Sequence, residues 1–218
     1  MAMTTHNRPH LIRALVENIR SVTPIPHRLI FCENDAESQA ILDEMGVENF
    51  LIEGLTVVRR VNTLFDQTSE PYFYWGADDT HFTEGWLEPA LELVKENQGV
   101  VAIHDGQYHF DTSILARTYV ETQGTIDQPG LVMHPGYRHY FCEVEQYHTA
   151  WKRKKFAYSK HSVIEHRHWL MNGGGYPKDE TYSLAESWFP DDRVTFRNRA
   201  PLWGGSVAHM GHPRVSGR

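Results

Sequence analysis

Two adjacent carboxylates, Asp78 and Asp79, end an aromatic run in the segment YFYWGADDTHF at residues 72–82. Like charges side by side repel each other, so the pair needs a positively charged partner. A divalent cation such as Mg²⁺ or Mn²⁺, which prefers carboxylate oxygens, is one such partner. The alternative is a solvated turn in which Asp78 or Asp79 caps the next helix. The sequence therefore predicts a candidate cation site directly after a strand.

Two histidines, His166 and His168, lie in the segment HSVIEHRHW at residues 161–169, which we predict to be a strand. Residues two apart on a strand point to the same face. Imidazole suits Mn²⁺ better than Mg²⁺, so one of them is a candidate ligand of the cation and the other a candidate contact to phosphate. The alternative is a pair of surface or hydrogen-bonded histidines, and the sequence does not choose between His166 and His168.

A second acidic pair, Glu143 and Glu145, opens the predicted helix EVEQYHTAWKRKKFAY at residues 143–158. The positive end of the helix dipole favours the ionised carboxylate there. An ionised carboxylate can take a proton from an attacking hydroxyl as a general base. We choose Glu143 for that role and keep Glu145 in reserve; the alternative is an acidic, solvated helix start.

The elements that must position these groups alternate between strand and helix along the first half of the chain. A helix begins at Pro9, where a first helical turn tolerates proline. Apolar runs predict strands at 27–34, 49–54, 70–79 and 99–106, and helical spacing predicts helices at 35–45, 54–68 and 84–98. Such alternation predicts an α/β fold with a mostly parallel, Rossmann-like sheet flanked by helices, and ligands bind at the carboxyl ends of its strands. The second half is less regular, with loops and short elements.

Composition limits the class of protein. The 218 residues suit one domain, and a formal net charge of -7 argues against a dedicated nucleic-acid binder. Two cysteines do not make a disulfide framework, so a cytoplasmic location is the default expectation. No apolar run approaches the roughly 18 residues that span a membrane, and the N-terminus lacks the features of a signal peptide.

Four stretches together resemble GT-A-fold glycosyltransferases of the family 2 type. They are TTHNRPHLIRAL, IFCEND, the run from RRVN to GWLE that contains the Asp78–Asp79 pair, and the late group HYFCEVEQYHTAW, VIEHRHW and KDETY. The resemblance covers nearly the whole chain and implies one GT-A domain over residues 1–218. Residues 1–105 would bind the nucleotide sugar, and residues 106–218 would form an irregular acceptor-side half.

The resemblance also implies roles for individual residues. Asp79 would hold Mn²⁺ or Mg²⁺ with His166 or His168, and Asp78 would face the ribose or sugar. Glu143 would be the base of an inverting transfer from a UDP-, GDP- or TDP-sugar. The triple glycine before Lys178 would ease loop closure and let Lys178 reach a phosphate. The remaining donor-pocket candidates are Thr5, Asn7, Arg8, Glu33, Arg60 and Asn62. For Arg60 and Asn62 the alternative is the polar face of a helix, and for Arg8 it is a local cap or ion pair.

The chain departs from the family pattern in two places. Only Met1 to Met3 precede the TTHNRP segment, so the first strand is expected to be truncated or absent. The acidic motif is also nonstandard, because it is the run ADDT at residues 77–80. The acceptor is open: a glycan, a lipid-linked sugar, a protein or a modified nucleic acid. A non-catalytic sugar-nucleotide or glycan-binding module is one alternative function. A nucleotidyltransferase is another, ranked lower because the sequence lacks a Gly-rich phosphate loop.

Overall fold

The computed structural model describes residues 1–52, 54, 56–105, 112–170 and 175–205. The strands are β1 (Ala2–Thr4), β2 (Ile30–Glu33), β3 (Glu48–Leu51), β4 (Tyr72–Ala77), β5 (Thr80–Phe82), β6 (Val100–His104), β7 (Ser113–Ala116) and β8 (Phe156–His166). The helices are α1 (Pro9–Val22), α2 (Ala36–Glu44), α3 (Val57–Asp66), α4 (Leu87–Asn97), α5 (Arg117–Thr122), α6 (Cys142–Lys152) and α7 (Glu180–Arg199), followed by a short 3₁₀ turn (Ala200–Trp203).

The strands form one eight-stranded sheet in the order β3-β2-β1-β4-β7-β6-β8-β5. Parallel pairing joins β3, β2, β1 and β4, and it joins β6 to β8. Antiparallel pairing joins β7 to β4 and β6, and it joins β5 to β8. The predicted α/β fold with a mostly parallel sheet is confirmed, and the antiparallel strands bring the second half of the chain beside the first.

Hydrophobic spacing determines the elements of the first half. In α1, the buried residues are Leu11, Ile12, Leu15, Val16 and Ile19, the stripe that helical periodicity predicts. Asp35 caps α2 by accepting a hydrogen bond from Ser38 N at 2.7 Å, and Thr56 caps α3 by accepting from Arg59 N. The predicted helices and strands up to β6 are all present, with ends shifted by a few residues.

One local prediction is narrowed to one of its two forms, and two others need correction. The first strand is short but present, since β1 is fully buried and pairs with β2 on one side and β4 on the other. The helix predicted over 143–158 ends at Lys152, because residues from Phe156 pair with β6 in the sheet. The predicted strand at 161–169 is the end of β8, which stops at His166, so His168 lies beyond it.

Four elements were not predicted at all: β5, β7, α5 and α7. The largest is α7, a 20-residue helix with Pro190 inside it and few buried positions. Proline normally breaks a helix, and the sequence of α7 has no continuous apolar stripe. No helix among the described residues is long and apolar enough to cross a lipid bilayer.

Candidate functional site

Asp78 and Asp79 form the turn between β4 and β5, and both are buried. The hydroxyl of Thr5 donates to Asp78 Oδ2 at 2.7 Å, and the Arg8 guanidinium donates to Asp78 Oδ1 at 2.8 Å. The same Arg8 Nη1 lies 3.7 Å from Asp79 Oδ2. One guanidinium therefore offsets the repulsion within the acidic pair, which is neither solvated nor a helix cap.

Asp79 has two further partners from distant parts of the chain. Tyr182 donates its hydroxyl to Asp79 Oδ2 at 2.9 Å. The imidazole Nε2 of His166 lies 3.4 Å from the same oxygen, because β8 runs antiparallel beside β5 with His166 opposite Thr80. The structure thus brings together Asp79 and one of the two predicted histidines.

The two carboxyl groups differ in acidity. Burial, together with the charge of Asp79, raises the pKa of Asp78 despite its bonds to Arg8 and Thr5. Burial acts on Asp79 in the same direction, but the His166 imidazole and Arg8 outweigh it and hold the pKa of Asp79 below its usual range. Asp79 is therefore the better anionic ligand of the pair at neutral pH.

Asp79 and His166 suit a divalent cation that takes its other ligands from a bound substrate. The second oxygen of Asp79, Oδ1, is buried and has no hydrogen-bond partner among the described residues. A carboxylate oxygen and an imidazole nitrogen are a suitable donor set for Mn²⁺. No group of three or more acidic, His or Cys side chains in the described part of the chain is arranged to hold a metal by itself.

The start of α7 packs over the acidic pair. Asp179, the N-cap of α7, accepts from Arg8 Nε at 2.7 Å and from Arg8 Nη2 at 3.1 Å. The Tyr182 ring lies 4.0 Å from the Arg8 guanidinium carbon, and Thr181 donates to the carbonyl of His6 at 2.7 Å. The sequence signal for this contact was the N-cap aspartate in KDETY, a segment predicted to be a loop.

His168 packs against this helix start. Its ring centroid lies 4.5 Å from that of Tyr182 and 5.4 Å from that of His166. The backbone N–H of Leu170 donates to His168 Nδ1 at 3.3 Å. This surrounding gives His168 a packing role beside Tyr182, so we favour His166 as the candidate ligand.

Glu33 lies at the end of β2, two strands from β4 in the sheet, and Arg60 lies on α3. Glu33 ends β2, is fully buried, and neither of its carboxyl oxygens accepts a well-formed hydrogen bond from the described residues. Arg60 is also buried; it donates to the Thr5 carbonyl at 2.7 Å, and its Nη2 lies 3.0 Å from His6 Nδ1. Arg60 therefore holds the first loop in place, while Glu33 has spare hydrogen-bonding capacity.

Burial raises the pKa of Glu33 to about 7, and the negative charge of the nearby Asp35 adds to this rise. The backbone N–H of Glu33 and the charge of Arg60 act in the opposite direction. Because the pKa is higher in the folded state, the contribution of this carboxyl group to the free energy of unfolding is fully present below the unfolded-state pKa. That contribution is lost as the pH rises through 7. We therefore expect Glu33→Gln to raise the free energy of unfolding by about 2–3 kcal/mol at pH 9 and to leave it unchanged near pH 4.

Urea denaturation of both proteins at pH 4, 7 and 9 measures this difference. Glu37→Gln, on the exposed side of α2, is the matched control and should show no difference at any of these pH values. An equal stability change for Glu33→Gln at pH 4 and pH 9 would contradict the assignment of a buried, protonated carboxyl.

Two predicted donor-pocket residues make contacts within the protein. Asn62 accepts from Val132 N at 3.0 Å and Met133 N at 3.1 Å, and it donates to the Met133 carbonyl. Asn7 accepts a hydrogen bond from the Asn34 side chain, and its own backbone N–H donates to Asn34 Oδ1. The amide of Asn62 fixes α3 to the 132–133 backbone, which favours a structural role over nucleotide recognition.

Lys178, which the sequence predicts as a phosphate contact, lies against two side chains of the protein itself. Its ammonium donates to Glu186 at 2.7 Å and lies 4.7 Å from the Trp169 ring centre. The first two residues of the triple glycine, Gly173 and Gly174, lie outside the described residues. Gly175 is described, and a side chain there would collide with the His168 carbonyl, so glycine is required for close packing.

Glu145, the second candidate for the general base, lies in a buried network of an ion pair and hydrogen bonds. It is buried, accepts from Arg199 Nε at 2.8 Å and Nη2 at 2.7 Å, and accepts from the Tyr137 hydroxyl at 2.8 Å. Arg199 also pairs with Asp127. A carboxylate committed to a bidentate arginine pair is a poor proton acceptor, so Glu143 remains the better candidate base.

The start of α6, where Glu143 lies, is fixed by α7. Asp192 of α7 is fully buried and accepts hydrogen bonds from three consecutive backbone N–H groups, those of residues 138–140. Phe141 follows in the left-handed region at φ 67°, with its ring packed on Phe189 and Phe196. Strained backbone of this kind persists where its surroundings hold it, and here it sets the first turn of α6.

The match to known families agrees with this geometry. The family model described as "Glycosyl transferase family 2" matches residues 1–157, which include β1, both acidic residues of the turn and the start of α6. The chain belongs to glycosyl transferase family 2. It is a glycosyltransferase with the GT-A architecture, and no curated protein sequence matches it significantly.

Solved structures of two glycosyltransferases have the same fold. The mannosyltransferase PcManGT from Pyrobaculum calidifontis, in complex with GDP-Man and Mn²⁺, aligns with a TM-score of 0.63 at 10% identity, over 95% of this chain and 69% of that one. Residues 1–349 of S. aureus TarS, in complex with UDP-GlcNAc, align with a TM-score of 0.64 at 10% identity, over 96% and 68%. The family 2 chain spans 41% of a longer TarS structure.

Proposed function

We propose that this family 2 enzyme is a metal-dependent, inverting glycosyltransferase that moves a sugar from a nucleoside-diphosphate sugar to an acceptor hydroxyl. The observation on which this depends is the buried Asp79 carboxylate, which has His166 beside it and one oxygen that accepts no hydrogen bond within the described part of the chain. The GDP-Man and Mn²⁺ bound to PcManGT support the same class of donor and cation here.

Asp79 and His166 are the residues that would hold Mn²⁺ or Mg²⁺. When bound, such a cation neutralises the charge that develops on the leaving diphosphate. Asp78, fixed by Thr5 and Arg8, would accept hydrogen bonds from the ribose or sugar. Glu33 would contact the nucleobase, because its carboxyl group is buried at a strand end and accepts no well-formed hydrogen bond from the described residues.

Glu143 would act as the general base on the acceptor hydroxyl. Its position in the first turn of α6 favours the ionised carboxylate through the helix dipole. The Asp192 contacts to residues 138–140 would keep that turn in place during the reaction.

A thermal-shift screen of UDP-, GDP- and TDP-sugars, each with Mn²⁺ and with EDTA, tests the donor and the cation together. Ligand at about 100 times its Kd adds about 2.7 kcal/mol to stability, which corresponds to a rise in Tm of about 5–10 °C for a chain of this size. We expect that rise for at least one donor with Mn²⁺ and its loss with EDTA.

Release of nucleoside diphosphate from the stabilising donor is then measured, with and without EDTA. Release that requires the cation supports the transferase. Binding without release, even with a panel of acceptors, would favour the non-catalytic binding module instead. Release that is unaffected by EDTA would contradict the metal dependence.

A further inference from the structure

Arg8 presents the edge formed by its Nε and Nη2 atoms to Asp179, a residue that the proposed function does not use. We propose that Arg8 binds the diphosphate of the donor, and that Asp179 occupies the same edge of Arg8 and must release it when the donor binds. This inference rests on the proposed function, because it names a further ligand of the same substrate.

The geometry of Arg8 is that of a two-sided fork. Its Nη1 is fixed on Asp78, and its other edge, formed by Nε and Nη2, donates two hydrogen bonds to the carboxylate of Asp179. Planar guanidinium groups bind carboxylate and phosphate through this same pair of donors. Asp179 therefore fills a position whose hydrogen bonds a phosphate group can reproduce.

The charges around Arg8 favour this exchange. Three carboxylates, those of Asp78, Asp79 and Asp179, lie within 4 Å of one guanidinium. A diphosphate that approached this cluster would meet a local excess of negative charge. Removing Asp179 from Arg8 lowers that excess and frees two donors at the same time.

Of the three carboxylates, Asp179 is the one that can move away from Arg8. The side chains of Asp78 and Asp79 are 4% and 5% exposed, whereas that of Asp179 is 36% exposed. Apart from Arg8, the groups that hold the Asp179 side chain are backbone N–H groups of the first turn of α7: Tyr182 N donates the capping bond, and the N–H of Thr181 also faces the carboxylate. It lies on the solvent side of Arg8, from which a soluble donor arrives.

Isothermal titration with UDP, GDP and TDP, in the presence of Mn²⁺, tests the exchange. Asp179→Asn removes the competing charge, and asparagine is an equally good N-cap, so the start of α7 is retained. We expect Asp179→Asn to bind the preferred nucleoside diphosphate about fivefold more tightly than the wild-type protein, since partly exposed ion pairs contribute up to about this factor.

Two matched controls separate this effect from general charge or stability changes. Glu180→Gln removes the same charge one residue further along α7, where the side chain is exposed and has no ion pair with Arg8. Asp127→Asn breaks a similar bidentate arginine pair, with a side chain that is 39% exposed, at Arg199. Neither control should change the Kd for the nucleoside diphosphate.

A double-mutant cycle tests whether Arg8 is the group that is exchanged. The gain in affinity for the nucleoside diphosphate that Asp179→Asn produces should disappear when Arg8 is replaced by glutamine. If Arg8→Gln does not fold, Arg8→Lys keeps the charge beside Asp78 but loses the fork, and the gain in that background should fall below about twofold.

The outcomes are distinct. Tighter binding that depends on Arg8 supports the exchange. An unchanged or weaker affinity in Asp179→Asn, or a gain that persists without the Arg8 fork, overturns it while leaving the proposed function intact. A wild-type protein that binds none of UDP, GDP and TDP with Mn²⁺ rejects the proposed function, and the exchange with it.

Discussion

Replacing Asp79 by asparagine is expected to reduce the rate of sugar transfer by about 10³-fold or more, the loss typical when a group that stabilises the transition state is removed. Asparagine has the same size and can still accept the Tyr182 hydrogen bond, but it lacks the negative charge that His166 and Arg8 stabilise. Nucleoside-diphosphate release at saturating donor measures the loss.

The structural effect of this variant must be separated from the chemical one. Circular dichroism and the Tm report whether Asp79→Asn folds, and titration with Mn²⁺ and the nucleoside diphosphate reports whether the ternary complex still forms. Asp43→Asn, on the exposed surface of α2, is the control and should retain full activity. A folded Asp79→Asn protein with more than a tenth of wild-type activity would remove Asp79 from the mechanism.

Replacing Glu143 by glutamine is expected to lower kcat by about 10²–10⁴-fold, the usual contribution of a general base. Glutamine cannot take a proton from the acceptor hydroxyl, but donor binding on the other side of the site should be unaffected. The expected pattern is therefore a lower kcat with an unchanged Kd for the nucleoside diphosphate.

Glu145→Gln gives the contrasting result. Its carboxylate lies in a buried pair with Arg199, and breaking such a pair lowers the free energy of unfolding by about 3 kcal/mol. Glu92→Gln, on the exposed side of α4, is the neutral control for both. If Glu143→Gln transfers sugar at the wild-type rate, the base lies elsewhere on the acceptor side.

Much of the first half of the chain follows from local sequence patterns. The stripe from Leu11 to Ile19 predicts α1, and apolar runs predict β2, β3, β4 and β6. The position of Asp78 and Asp79 after β4 also follows, because a carboxylate pair that ends a buried strand lies at the carboxyl end of that strand, where ligands bind in α/β sheets. These features depend on residues close together in the chain, and periodicity detects them.

The elements of the second half of the chain depend on distant partners. Residues 156–158 have the pattern of a helix continuation, yet they pair with β6, and β8 then carries His166 to Asp79. The helix α7 has no apolar stripe, and its ends are fixed by Arg8 pairing with Asp179 and by Arg199 pairing with Glu145.

The sequence by itself indicated the α/β fold, the acidic turn and the resemblance to family 2, since hydrophobic periodicity and short motifs are properties of residues close together in the chain. Only the tertiary structure decided which charges meet. Arg8 and Asp179 are 171 residues apart, Tyr182 and Asp79 are 103 apart, and Arg199 and Glu145 are 54 apart. The free energy of an ion pair or buried hydrogen bond depends on spatial distance and burial, and no local pattern in a single sequence encodes either quantity.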